Sequence, residues 1–261
     1  MTVRVGLMQI DCSSSEPVSQ RITRVLGMID EHAPECDLML LPELWHVGAF
    51  DIVAAREHAQ SIDGPLVQAL GALASEHRIW LHGGSIAERA EDGSYYNTSL
   101  MFAPDGVLVA TYRKIHLFGF DGGETTLMSG GEELIVVDTP LGPTGLATCY
   151  DLRFPELFRA LVQGGATAIL VSSGWPLSRI EHWDVLTRAR AIEDQAWVLA
   201  CNEVGDQPGI RLGGRSVVVD PKGTVIALAG EGEEFLVAEV DPDESSRWRE
   251  QFPALKDIRV G

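Results

Sequence analysis

The feature that most constrains this chain is an alternation of two hydrophobic periods along its whole length. Near the start, the β-rich run "VRVGLMQI" gives way to "VSQRITRVLGMIDEH", where apolar residues recur at helical spacing, and then to "DLMLLPE". That order is β–α–β. Next, "GPLVQALGALASEHR" predicts a helix and "IWLHGGSIAE" a strand, while "YYNTSLMFAPDGVLVATYRK" predicts two strands joined by a Pro-Asp-Gly turn. The second half repeats the grammar. Two strands are expected in "ELIVVDTPLGPTGLATCY", a helix closed by glycines in "RFPELFRALVQGG", and a buried strand in "ATAILVSSG". A helix in "HWDVLTRARAIEDQ", a strand in "AWVLACNEV", a hairpin turning on Asp220-Pro221-Lys222-Gly223 and a last strand in "EFLVAEVD" complete the pattern. No linker or low-complexity tract interrupts it, so the expectation is one α/β domain over residues 1–261, with two sheets and helices outside.

With 38 acidic against 20 basic side chains, the formal charge is −18, and long-range repulsion disfavours nucleic acid and anionic membranes as partners. A small molecule or a protein fits better. The start "MTVRVGLMQID" lacks a basic segment followed by a long apolar run, and no apolar stretch is long enough to span a bilayer, which predicts a soluble cytoplasmic protein. The cysteines at 12, 36, 149 and 201 lack any CxxC or Cys/His spacing suited to zinc, so reduced thiols and no structural metal are expected.

Three of the expected strands end in an ionisable residue. "DLMLLPE" finishes at Glu43, "VLVATYRK" at Lys114 and "TGLATC" at Cys149. Taken singly, each has an ordinary explanation: a carboxylate at a helix start, a solvated lysine, a small packed thiol. In α/β architectures, however, residues just past strand ends face the loops where ligands bind. As a set they describe acyl transfer: a thiol attacks, a carboxylate takes its proton, and an ammonium stabilises the oxyanion of a tetrahedral intermediate. The backbone N–H of Tyr150 supplies a second oxyanion donor if the chain turns sharply after Cys149.

"LLPELW", "YRKIHLFGF" and "TCYDLRFPELFRAL" resemble the Glu, Lys and Cys motifs of the nitrilase, or carbon–nitrogen hydrolase, superfamily. The resemblance continues through "HWDVLTRARAIEDQAWVLACNEVG" and "GRSVVVDPKGTVIALAG", covering nearly the whole chain. It implies a nitrilase-like four-layer α–β–β–α sandwich, commonly paired as a homodimer, and amide hydrolysis through a thioester that needs neither metal nor organic cofactor. It also implies a second carboxylate on the loop after the lysine, and "ETTLMSGGEE" offers Glu124 for that position, with Glu132 and Glu133 as solvent-facing neighbours.

"SSGWPLSRIEHWDVLTRARAIEDQ" resembles the ω-amidase branch, whose members act on 2-oxoglutaramate. By that resemblance Trp175 and Pro176 lie near the acyl pocket, and Arg179 is a candidate to bind the substrate's distal carboxylate in a bidentate geometry. Arg153, Glu156, Arg190 and Glu193 are expected to pair with one another at a packed interface. His116 is expected to tune Lys114 or to donate to a loop carbonyl, and His182 and Trp183 to pack.

Two departures stand out. Gly48 is followed by Ala49 before the aromatic Phe50, and Gly174 precedes Trp175-Pro176 where close ω-amidase relatives carry Asn. Other branches therefore stay open: deaminated-glutathione amidase, short aliphatic amidase and N-carbamoyl hydrolase. Outside catalysis, a binding protein that keeps the fold and a redox sensor at Cys149 are the alternatives.

Overall fold

The computed structural model describes residues 2–119 and 122–259; Phe120, the last residue of "YRKIHLFGF", lies outside them. The first half runs β1 (Val3–Gln9), α1 (Val18–His32), β2 (Leu38–Leu40), α2 (Ile52–Glu57), α3 (Pro65–His77), β3 (Trp80–Arg89), β4 (Tyr95–Phe102) and β5 (Leu108–Arg113). The second runs β6 (Val136–Thr139), β7 (Gly142–Thr148), α4 (Pro155–Gln163), β8 (Ala168–Ser173), α5 (Ile180–Asp194), β9 (Trp197–Asn202), β10 (Val204–Gln207), β11 (Ile210–Gly213), β12 (Val217–Val219), β13 (Val225–Leu228), β14 (Glu234–Val240) and α6 (Glu244–Gln251). Proline opens α3 and α4, where the missing N–H is not needed, and Arg78 in the left-handed region closes α3.

Among the described residues the strands form two six-stranded sheets, ordered β14-β1-β2-β3-β4-β5 and β13-β12-β9-β8-β7-β6, plus the β10–β11 hairpin. Each sheet has a parallel centre: β1 pairs parallel with β2 and β2 with β3 in one, β7 with β8 and β8 with β9 in the other. The remaining sheet neighbours are antiparallel, and β14 returns from the far end of the chain to pair with β1, Val3 opposite Val240.

Strand alternation explains the layers. Along β1, Val5 and Leu7 point into a core shared with Leu146, Leu170 and Leu199 of the second sheet, whereas Met8 packs with Val25 and Ile29 of α1 and Leu70 of α3. On the second sheet, Ile169 and Val171 of β8 turn outward onto Phe158 of α4 and Trp183 and Ala191 of α5. Three apolar cores thus bind four layers, α–β–β–α, as the resemblance implied. Both faces of the central strands are buried, and all six residues of β8 and of β9 are buried. No helix among the described residues is long and apolar enough to cross a membrane.

The consequence for function lies at the carboxyl ends of these parallel strands. The chain leaves β2 into Glu43, β7 into Cys149 and β8 into Gly174, all at one rim of the sandwich.

Candidate active site

Each ionisable residue at this rim is held by its own backbone. Beyond β2, the Ser85 amide donates to the Pro42 carbonyl, so that Glu43 leaves the sheet beside β3. Gly84 has φ +68 and no room for a side chain, because a Cβ there would meet the Pro42 carbonyl at 2.1 Å. Cys149 follows β7 directly and begins a single 3₁₀ turn, Cys149–Arg153. Its φ of +46 is a strained value for a residue with a side chain. Such strain costs on the order of 1–3 kcal/mol and persists only where the surroundings impose it. Here they do: Thr148 and Asp151 form a capping box, with the Thr148 amide donating to Oδ2 of Asp151 at 2.9 Å.

Asp151 also reaches the other side of the cleft. Its carboxylate accepts from the Tyr112 hydroxyl at 2.7 Å and from the His116 amide at 3.0 Å, and it pairs with Nδ1 of His116 at 2.8 Å. The segment that carries Lys114 is thereby tied to the turn that carries Cys149. His116, stacked on Phe154, contacts Asp151 rather than the lysine or a loop carbonyl.

The structure brings Glu43, Lys114, Glu124 and Cys149 to one cleft of about 420 Å³ of atom-free space, counted to its open mouth. Nζ of Lys114 donates to Oε1 of Glu43 at 2.7 Å and to Oε2 of Glu124 at 2.6 Å, and all three side chains are at most 3% exposed. Asn97, from the middle of β4, donates through Nδ2 to both carboxylates, at 2.8 and 2.6 Å. The Gly174 amide donates to Oε2 of Glu43 at 2.9 Å, and the Phe118 amide to Oε2 of Glu124 at 2.7 Å. Sequence reasoning passed over Asn97, whose only signal is an amide inside the apolar run "YYNTSLMF".

Burial opposes the lysine's charge, yet Glu124 and Glu43 outweigh it and hold the Lys114 pKa well above its ordinary value. Burial raises the pKa of Glu124, against the pull of Lys114. It also raises that of Cys149 well above an ordinary thiol, with Glu43 adding to the effect and Lys114 and the Ser173 hydroxyl opposing it. Such a thiol holds its proton at rest, and to act as a nucleophile it would need an adjacent carboxylate to take that proton.

Trp175, Pro176 and Arg179 line the same cleft with Phe50 and Phe118. Trp175 is fixed by its own hydrogen bonds, its amide donating to Oδ1 of Asn202 at 2.5 Å and its indole N–H to the Arg179 carbonyl at 2.8 Å. Tyr150 directs its ring against Phe118 and Phe154 and is not part of the cleft lining, so only its backbone, next to Cys149 in the chain, stands close to the site.

Arg153 departs from expectation. It lines the cleft, its guanidinium 4.7 Å from the centre of the Trp175 ring and 3.2 Å from Nδ1 of His182, instead of joining an interface network. Of the four residues expected to pair, Arg190 and Glu193 do so, while Glu156 is exposed. Arg159, which was not among the four, pairs with Asp194 at 3.1 Å.

The two departures at positions 49 and 174 turn out to be one feature. A Cβ on Gly174 would stand 2.3 Å from Cβ of Ala49 and 3.0 Å from Oε2 of Glu203, so Ala49 and Glu203 occupy the space that a side chain at 174 would need.

A profile of the carbon–nitrogen hydrolase family matches residues 4–250. The chain belongs to that family. The 2-oxoglutaramate amidase of Paenarthrobacter nicotinovorans is 39% identical over 263 residues, covering 98% of this chain and 89% of the relative. The 2-oxoglutaramate amidase of Bacillus subtilis is 36% identical over 256 residues, covering 98% and 97%. Among solved structures, Saccharomyces cerevisiae Nit3, a member of branch 10 of the nitrilase superfamily, superposes with a TM-score of 0.89 at 33% identity, covering 99% of this chain and 97% of its own. This carbon–nitrogen hydrolase is thus an amidase of the nitrilase superfamily with the nitrilase fold: two mixed sheets flanked by helices.

Proposed function

We propose that this amidase cleaves the terminal amide of a short, anionic amide acid, 2-oxoglutaramate or succinamate, releasing ammonia and the dicarboxylic acid. One observation carries the reading: two arginines line the cleft that holds the thiol, and neither guanidinium pairs with a carboxylate among the described residues. Burial and the neighbouring Arg179 pull the Arg153 pKa down, as expected of two cations held close with no anion between them. A substrate carboxylate supplies that anion. The names of the relatives above point the same way.

In the proposed cycle Glu43 takes the proton of Cys149 as the sulfur bonds to the amide carbon. The Lys114 ammonium and the Tyr150 amide hold the oxyanion, each oxyanion donor contributing roughly 2.7–4 kcal/mol. The C–N bond then breaks, the leaving nitrogen takes the proton from Glu43, and a thioester remains. Water attacks that thioester, giving its proton to Glu43, which returns one to the sulfur as the acid departs. Glu124 orients Lys114 and shares Asn97 with Glu43. As proposed, these steps use the chain's own side chains, one backbone amide and water.

A second branch, with short aliphatic amides as substrate, predicts activity that is indifferent to a distal carboxylate, and a third, with deaminated glutathione, predicts preference for that larger, carboxylate-bearing amide over 2-oxoglutaramate and succinamate. The deciding experiment is ammonia release over 2-oxoglutaramate, succinamate, glutamine, deaminated glutathione, butyramide and N-carbamoyl acids, with wild type and Cys149→Ala. Selective turnover of the first two supports the proposal, and equal turnover of butyramide or preference for carbamoyl compounds overturns it. We also propose a homodimer, supported by the exposed apolar residues Val185 and Ile192 of α5 beside Val225 and Leu228 of β13.

A further inference from the structure

Glu203 is a carboxylic acid that the reaction above does not use, and it is fully buried. It follows β9 and enters β10, its amide donating to the Ser173 carbonyl at 3.1 Å, one residue before the glycine that holds Glu43. Its Oε2 lies against Gly174 from behind and accepts from Nε2 of Gln207 at 3.0 Å, while Oε1 has no hydrogen-bond partner among the described residues. Gln207 continues the chain of contacts, its Oε1 accepting from the Phe50 amide at 2.8 Å. Glu203 therefore sits where the two walls of the cleft meet: Gly174–Trp175 on one side and, through Gln207, Ala49–Phe50 on the other.

The ionisable groups facing it come from four directions. Cys12 follows β1, Arg21 belongs to α1, Glu43 follows β2, and Cys201 lies on β9. Arg21, the one cation among them, is committed elsewhere, donating to the Ser13 carbonyl at 2.5 Å and pairing with Glu16 at 3.5 Å. A buried carboxylate with no cation of its own and a second carboxylate nearby is costly to ionise, whereas the neutral acid is not.

We infer that Glu203 is a positioning residue that works as a neutral acid, bracing Gly174 and the Ala49–Phe50 wall around Glu43, and that its ionisation switches the amidase off. Burial, opposed by the Cys12 thiol, Arg21 and Gln207 and reinforced by Glu43, pushes its pKa up to about 8, which puts the switch at mildly alkaline pH. Ionisation brings a second negative charge behind Gly174, where it opposes the ionised form of Glu43 and the developing oxyanion. The inference rests on the reading that Glu43 and Cys149 perform the reaction.

Two measurements separate that reading from this one. Infrared titration of the protein, without substrate, is expected to show a protonated-carboxyl band that disappears as pH rises through about 8 and is missing in Glu203→Gln. The pH profile of kcat/KM, on whichever amide of the panel wild type turns over best, is expected to fall above about 8 in wild type. In Glu203→Gln, which keeps the shape without the ionisation, that fall moves up by about one pH unit or more, with activity at neutral pH lower by no more than about threefold. Glu203→Ala, which loosens both walls, loses up to ~10²-fold in kcat at every pH. Absence of the band in wild type, or an alkaline fall in Glu203→Gln identical to that of wild type, overturns the inference even when Cys149→Ala is inactive. An inactive but folded Glu203→Gln also overturns it, because an ionised carboxylate would then be required.

Discussion

Gly174 and Ala49 are complementary: a Cβ on the first would fall 2.3 Å from the Cβ of the second. Because Gly174 also donates its amide to Glu43, this close approach sets the position of the proton acceptor in the proposed cycle. Gly174→Asn is expected to cost ~1–3 kcal/mol through overpacking and to lower kcat more than it raises KM. Adding Ala49→Gly should recover part of both losses, as thermal melts and ammonia release on the double variant would reveal.

Lys114 bridges two buried carboxylates, so its removal has a signature distinct from that of the thiol. Cys149→Ala is expected to abolish turnover with little loss of stability. Lys114→Met leaves Glu43 and Glu124 unpaired in the interior and is expected to cost ~3–5 kcal/mol in addition to the activity. Glu43→Gln should lower kcat by ~10²–10⁴-fold. Denaturant melts of the three variants beside their rates are the check.

Arg153 and Arg179 line the cleft with no carboxylate partner among the described residues. Hydrogen bonds to charged groups contribute about 1.5–3 kcal/mol each, so Arg153→Leu or Arg179→Leu should weaken binding of succinamate by roughly ten- to a hundredfold. Butyramide, which lacks the distal charge, should be affected far less. Equal losses on both substrates would remove the arginines from recognition.

Stability should depend on pH with two opposing signs. Glu203 has a raised folded pKa of about 8, so the stability it contributes is present below its unfolded value of 4.5 and is lost as pH rises through about 8. His46 and His82 are buried, with pKa values lowered by burial to about 3 and about 4 from 6.5. Their contribution is present above 6.5 and is lost as pH falls toward 3–4. Chemical melts across pH are therefore expected to show Glu203→Gln removing the decline between pH 4.5 and about 8, and His46→Leu reducing the acid one.

Val185 and Ile192 project from α5 into solvent beside Val225 and Leu228. If this face joins a second copy, Val185→Glu with Ile192→Glu should convert the protein to a monomer in sedimentation velocity while each subunit stays folded. An unchanged sedimentation coefficient would place the interface elsewhere.

The periodic segments were legible in the residues because period and layer have one physical origin. Helical spacing in "VSQRITRVLGMIDEH" marks α1, and an unbroken apolar run such as "ATAILV" marks a strand buried on both faces. The β10–β11 hairpin was not foreseen: its strands are four residues each, glycine-containing and partly polar, so they lack a strong period of their own. The short helices α2 and α6 escaped for the same reason. Gln207, which braces Phe50, lies on that unforeseen hairpin.

What the chain's order of residues determined by itself was the alternation of elements and the chemical kinds of group at the ends of β2, β5 and β7, since both follow from local hydrophobic pattern and side-chain chemistry. Only the tertiary structure decided which groups share a cavity. Asn97 meets Glu43 and Glu124, Arg153 turns to the cleft instead of an interface, and Glu203 comes to lie behind Gly174 through contacts between segments far apart along the chain. Distances of this kind are set by strand order and sheet packing, which no local stretch encodes, and the low dielectric of the resulting interior then decides which of those groups carries its charge.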